Sequence, residues 1–385
     1  MDKRQRWHRA FSLASALSVA SFFESAMGAK TAFKGPKMVR IPARDFTMGG
    51  EEKSGAPRSK EVSLRSYSID ETPVTNQHFR EFVKEQKFKT EAETFGWSFV
   101  MNTSLNERML NLEPQYIQNA PHWVAIEGAF WRRPEGPDSS LKDRWDNPAV
   151  HISWNDAKAY CEWAGKRLAT EAEWENAARG KKKRSLYPFG DGKDNMGPEG
   201  EWMMNIWQGS FPWQNLKEDG YPHIAPVRAF PPNSYGLYST VGNVWEWTSD
   251  YFPTQNPKEE QWTLKGGSFL DSLDGEFNHK ATVVTRMGNT ADSGSYNTGF
   301  RCAHGKGGGG RKRPPRQEDL QEILAEKGVE GLQEYMAAQG QGASVMTPAE
   351  LEDWQAMQQE ARREEARETQ DAEDKDEKQG RKRRS

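Results

Sequence analysis

Fifteen tryptophans are the feature that most restricts how this chain can fold. Each indole needs a large apolar enclosure, yet apolar residues make up only 35% of the 385 positions. The same chain carries 34 glycines and 21 prolines, the residues that set turns and end regular elements. A few large side chains must therefore close a core over many turns. That predicts a compact, loop-rich body with little regular secondary structure. The length allows one large domain or two ordinary ones. A net charge of −3 lacks the basic excess of a nucleic-acid-binding chain and predicts no such partner.

The first residues read as an address. Lys3, Arg4, Arg6 and Arg9 precede the mildly apolar run FSLASALSVASFF over 11–23, and the small residues Ala26, Gly28 and Ala29 follow. That order predicts a secretory signal peptide over 1–28, with a disordered basic leader as the plainer alternative. The run is too short to span a bilayer comfortably, and no later stretch offers a membrane span. Cys161 and Cys302 are the only two cysteines. In a secreted chain they would form one disulfide, and in the cytosol two buried thiols. A bridge would close a loop of roughly 140 residues, worth about 5 kcal/mol at most in the chain-entropy model.

One aromatic texture, punctuated by glycine and proline, runs through residues 33–304. MVRIPARDFTMGG (38–50) alternates as a strand leading into a turn. VTNQHFREFVKEQ (74–86) puts Val74, Phe79, Phe82 and Val83 near one helical stripe. In SWNDAKAYCEWAG (153–165), Ser153 and Asp156 form a capping box, Ala157, Tyr160, Cys161 and Ala164 a buried stripe, and Gly165 a stop. TEAEWENAARG (170–180) repeats that plan, with Thr170 and Glu173 at its start and Trp174, Ala177 and Ala178 inward. These helices read as scaffold. After His304, GKGGGGRKRPPR is a hinge with a basic, proline-containing end. Helix formers with a thin apolar edge follow, then charge without hydrophobic content. Residues 305–385 are thus predicted to be a disordered or partly helical tail.

Common catalytic signatures are missing: the chain has no Gly-x-Ser-x-Gly elbow, phosphate loop, His-Glu-x-x-His or Cys-x-x-Cys motif. The seven histidines are scattered, and lone ones such as His151 and His279 read first as structural. Three places gather oxygen ligands. In GGSFLDSLDGEFNHKATVVTRMGN (266–289), Asp271, Asp274 and Glu276 could hold a cation, but Gly275 suits a solvated turn, which is the preferred reading. In NIWQGSFPWQNLKEDGY (205–221), Asn205 and Asp219 flank a loop folded back by Gly209, Pro212 and Gly220. In YGLYSTVGNVWEW (235–247), Glu246 lies between two tryptophans and needs a partner if buried. Calcium takes six to eight oxygens and suits such loops. Equally, Asn205 could cap a turn and Glu246 pair with an arginine.

HISWNDAKAYCEWAGKRLATEAEWENAARG (151–180), YGLYSTVGNVWEWTSD, LKGGSF and TGFRCA, in that order, resemble the sulfatase-modifying factor family, whose active member is the formylglycine-generating enzyme. The resemblance covers about residues 36–303 and leaves out the leader and the tail. It implies a single irregular, loop-rich α+β domain related to the C-type lectin fold, with a disulfide between Cys161 and Cys302. It further implies a structural calcium site from Asn205, the Ile206 carbonyl, Asp219 and the Tyr221 carbonyl. A second calcium site falls on Ser239, the carbonyls of Gly242 and Val244, and Glu246. Family members carry an amide or carboxylate where Ser239 stands, so this site departs from the pattern.

Active members of the family oxidise a cysteine of nascent sulfatases to formylglycine, using oxygen and a copper ion held by two thiolates that follow the GGS block. Here the first thiolate position is Asp271, and the second, counted back from Arg286, is Asn278. A carboxylate and an amide do not make a bis-thiolate site for soft Cu(I), nor run thiol–disulfide exchange. The expectation is a pseudoenzyme that binds no copper. TEAETFGWSF (90–99) and VVTRMGNT (283–290) look closer to the family's non-catalytic paralogue than to the enzyme. That resemblance implies residence in the endoplasmic reticulum lumen and binding to sulfatases. It also implies association with the active enzyme, as a hetero- or homodimer, that lowers its output. This chain ends in RKRRS where the paralogue has a retention-like tetrapeptide, so secretion stands beside lumenal residence. Two other functions stay open: different chemistry in the same pocket by Asp271, Glu276 and His279, and a lectin-like extracellular binding module. NTS at Asn102 is the one glycosylation sequon and reads as a surface loop.

Overall fold

The computed structural model describes residues 34–305 and residue 308, apart from 51–58, 112–114, 118–119, 191–196, 198–199, 255–258 and 276–277. The leader over 1–28, the tail beyond 308 and Glu276 lie outside the described residues. Contacts divide the chain into Met1–Arg311 and Lys312–Ser385, and every described residue belongs to the first unit.

Short strands and helices alternate with long irregular connections, an α+β arrangement of several small sheets. Strands Met38–Ile41, Tyr67–Asp70, Cys302–His304 and Arg167–Leu168 form one sheet in that order. A second sheet runs Arg286–Asn289, Gln261–Lys265, Trp245–Phe252 and Thr298–Phe300. A third runs Trp97–Met101, Ala120–Glu127 and Gln115–Ile117. The stretch 38–50 is two strands, not one. Met38–Ile41 and Arg44–Met48 join different sheets, because Pro42 between them has no amide hydrogen to give a ladder.

The helix Trp154–Trp163 has the capping box read from the sequence, Ser153 and Asp156 each bonding the other's backbone amide, and it buries Ala157, Tyr160 and Cys161. Its Cys161 is disulfide-bonded to Cys302, across 141 positions of sequence, and so ties the helix to the first sheet. The helix Glu171–Arg179 departs from the amphipathic reading, since all its residues are buried, charged ones included. Each charge is answered inside. Glu175 meets Arg179 at 2.8 Å and Lys265 at 3.1 Å, and Glu173 meets Arg167 at 2.7 Å. Such burial is tolerable only with partners in place, because a lone buried ion costs several kcal/mol. Among the described residues no helix is long and apolar enough to cross a membrane.

Candidate functional site

The strand Gln261–Lys265 runs into Gly266 and Gly267, both with left-handed φ, 92° and 77°. A Cβ on Gly266 would come within 2.8 Å of the Trp174 ring, so glycine is required there. The chain beyond this pair lines a cavity of about 360 Å³. Asp271, Asn278 and His279 face it together with Phe99, Trp123, Phe211 and Trp245.

Asp271 is buried and its carboxylate is fully engaged. Oδ2 accepts from the Ser268 amide at 2.6 Å and the Ser268 hydroxyl at 2.9 Å. Oδ1 accepts from the His279 amide at 3.1 Å and faces His279 Nδ1 at 3.2 Å. The hydrogen bond to Asp271 holds the His279 imidazole above the usual histidine range, against the opposing effect of burial. The ring also meets Trp245 edge-on, centroids 5.0 Å apart. Asn278 accepts from the Ser272 hydroxyl at 2.8 Å and donates to the Leu270 carbonyl. That hydroxyl shares its one proton between Asn278 Oδ1 and Asp274 Oδ1, the latter at 2.6 Å, and accepts from the Gly275 amide, so Asp274 and Gly275 sit in a bend, whereas Asp271, expected with Asp274 in a solvated turn, is buried. His279 is therefore paired, unlike the lone structural histidine the sequence suggests. His151 fits that description, buried between Ser98 Oγ and the Pro134 carbonyl, with its pKa pushed down to about 4 by burial. Both cysteines of the chain are in the disulfide, and no described cysteine is free.

The two sets of residues that the resemblance assigns to calcium differ in charge balance. In the first, Asp219 Oδ2 accepts from the Ile206 amide at 3.0 Å and from Gln208 Nε2 at 2.8 Å, and Oδ1 from the Tyr221 amide at 2.9 Å. Among the described residues no ion pair reaches this buried carboxylate, and burial pushes its pKa up. Asn205 spends its Nδ2 on the His223 carbonyl and on Asn243 Oδ1. A buried, uncompensated carboxylate among amide and carbonyl oxygens fits a hard cation. In the second set, Glu246 Oε2 meets Arg301 Nε at 2.6 Å and Trp174 Nε1 at 2.7 Å, while Oε1 meets Arg301 Nη2 at 2.8 Å. The Ser239 hydroxyl donates to the Val227 carbonyl and its own carbonyl accepts from Arg301. That set carries no unbalanced charge.

The loops are stitched together. A Cβ on Gly242, φ 71°, would come within 2.3 Å of the Asn205 carbonyl oxygen, and the next amide, that of Asn243, donates to the same oxygen at 2.8 Å. The Trp207 amide donates to the Asp271 carbonyl at 2.8 Å, joining the first set to the cavity. Asn102 opens a single 3-10 turn, Asn102–Ser104, at the end of the strand Trp97–Met101, and not a loop. Its Oδ1 is buried without a hydrogen-bond partner, and Ser104 Oγ meets His223 Nδ1 at 3.2 Å. Sequence reasoning does not reach Phe99, His122, Trp123 or Phe211, which line the cavity from the third sheet and the loop 205–221. Their only local signal is aromatic character, which the core shares.

A model of the sulfatase-modifying factor enzyme 1-like domain matches residues 23–306. A protein of Bos taurus, inactive C-alpha-formylglycine-generating enzyme 2, is 48% identical over 282 residues, covering 72% of this chain and 89% of its own. The formylglycine-generating enzyme of Mus musculus is 44% identical over 282 residues, covering 69% of this chain and 74% of its own. Among solved structures, PvdO from Pseudomonas aeruginosa superimposes with a TM-score of 0.49 at 23% identity, covering 71% of this chain and 96% of that one. The matched region spans both oxygen-ligand loops, the Asp271 cavity and the Cys161–Cys302 bridge, and the chain belongs to the sulfatase-modifying factor family, related both to formylglycine-generating enzymes and to the paralogues named inactive.

Proposed function

We propose that this protein is a non-catalytic family member that binds sulfatases or the active formylglycine-generating enzyme at the Asp271 cavity and lowers sulfatase activation. The observation that carries this reading is the engagement of Asp271 and Asn278. The residues aligned with the two thiolates are oxygen and nitrogen groups held in hydrogen bonds, and the only two cysteines are spent on a structural bridge. Oxygen donors do not suit Cu(I), so the protein binds no copper and oxidises nothing. The cavity retains aromatic and amide groups that can hold an extended peptide. The reading places the protein in the endoplasmic reticulum lumen or in secretion from it, behind a signal peptide over 1–28, with a glycan on Asn102. One structural calcium sits at Asn205, Ile206, Asp219 and Tyr221. The test is incubation of purified protein with Cu(I), oxygen and a sulfatase-derived Cys-x-Pro-x-Arg peptide. Peptide binding without aldehyde is expected, and aldehyde above background would overturn the proposal.

One contact favours a second reading, acid–base chemistry by the Asp271–His279 pair at 3.2 Å. It is the weaker one, because Ser268 and His279 already occupy the carboxylate from both sides.

A further inference from the structure

We propose that Gln208 is a further ligand of the calcium ion at Asn205, Ile206, Asp219 and Tyr221, through its side-chain oxygen. The proposal rests on the calcium reading just given. Gln208 lies on the same loop, is 5% exposed, and does not belong to the expected set. Its Nε2 donates both to the Ile206 carbonyl and to Asp219 Oδ2, the latter at 2.8 Å. One amide nitrogen therefore bridges two oxygens of the expected ligand set, the position in which positive charge is wanted. Its Oε1 is buried and has no hydrogen-bond partner.

An unpartnered buried amide oxygen beside an uncompensated buried carboxylate is the reverse of how native interiors treat polar groups. A cation resolves both. A half-turn about the Cγ–Cδ bond exchanges Nε2 and Oε1 without moving the backbone, and the two ends of the amide are nearly isosteric. The Ile206 carbonyl and Asp219 Oδ2, released by the nitrogen, then share the cation with Oε1. This brings the protein's share closer to the six to eight oxygens calcium takes, with water filling the rest. The backbone of Gln208 is held on both sides, its carbonyl accepting from Leu216 N at 2.7 Å and its amide donating to Asn215 Oδ1 at 3.5 Å, so only the side chain needs to turn.

The test is calorimetric titration of calcium alone into the full chain, in wild type, Asp219→Asn, Gln208→Leu and Gln208→Glu, with far-ultraviolet circular dichroism of each. Asp219→Asn identifies the heat that belongs to this site. Gln208→Leu should weaken that site about tenfold or more. Gln208→Glu keeps an oxygen and adds charge, so it should bind at least as tightly as wild type. Equal affinity in wild type and Gln208→Leu, or tighter binding by Gln208→Leu, overturns the role of Gln208 and leaves the site standing. A wild type without calcium heat, or heat unaffected by Asp219→Asn, overturns the site and the proposal together. Should Gln208→Leu fail to fold, Gln208→Glu carries the test, and weaker binding by it counts against the proposal.

Discussion

Glu246, in the strand Trp245–Phe252, and Asp219, on the loop 205–221, are both buried carboxylates that the family resemblance assigns to calcium, and they meet burial in opposite ways. Glu246 is answered by a permanent cation, the Arg301 guanidinium on both of its oxygens, with the Trp174 indole as third donor. Asp219 is answered only by neutral donors, two backbone amides and the Gln208 amide. Asp271 stands between them, since its partner His279 is a cation only when protonated. Ligand-type residues at ligand-type spacing are therefore not enough to define a metal site. What matters is whether the fold has already supplied the balancing charge.

Arg301→Ala leaves Glu246 buried and unpaired, which should cost about 3–5 kcal/mol in chemical denaturation. A loss below about 1 kcal/mol would mean that another cation, calcium included, already shares Glu246. A smaller effect is due at the opposite pole. Asp219→Asn in chelator turns one acceptor into a donor and should cost about 1–2 kcal/mol. Added calcium should then raise the melting temperature of wild type and leave this variant unmoved. Equal calcium shifts in both proteins would show that Asp219 does not hold the ion.

The smallest effect belongs to Asp271. The folded-state pKa of His279 is raised, so its contribution is fully present below the unfolded value near 6.5 and fades as pH rises through the folded value. The His279 side chain is nearly half exposed, at 47%, which limits the pair to the range of surface ion pairs, under about 1 kcal/mol. His279→Gln should narrow the stability difference between pH 6 and pH 8 by no more than that. An unchanged or widened difference would show that the imidazole does not serve as the conditional partner of Asp271.

Much of the scaffold is legible locally. Ser153 with Asp156 and Thr170 with Glu173 announce their helices because a capping box is a contact across three residues, decided by the chain itself. The bend at Asp274 and Gly275 is legible for the same reason. The fully buried state of the helix Glu171–Arg179 is not, because its glutamates look like a solvent face until Lys265, ninety-odd positions along, is brought to them. Glu246 poses the same problem. Its neighbours show that it needs a partner, but whether that partner is calcium or Arg301 depends on a strand pairing far along the chain, Trp245–Phe252 beside Thr298–Phe300.

The residue types by themselves determine that the chain has two cysteines, and that a carboxylate and an amide stand at Asp271 and Asn278, while the structure decides that the two cysteines are bridged. They also determine the loop-rich build, because tryptophan, glycine and proline act through size and backbone preference wherever they fall. Only the tertiary structure decides which carboxylate is neutralised, which aromatic side chains face the cavity, and that the Gln208 amide rests between Ile206 and Asp219. Electrostatic balance is a property of distances, and those distances are set between segments that no local pattern connects.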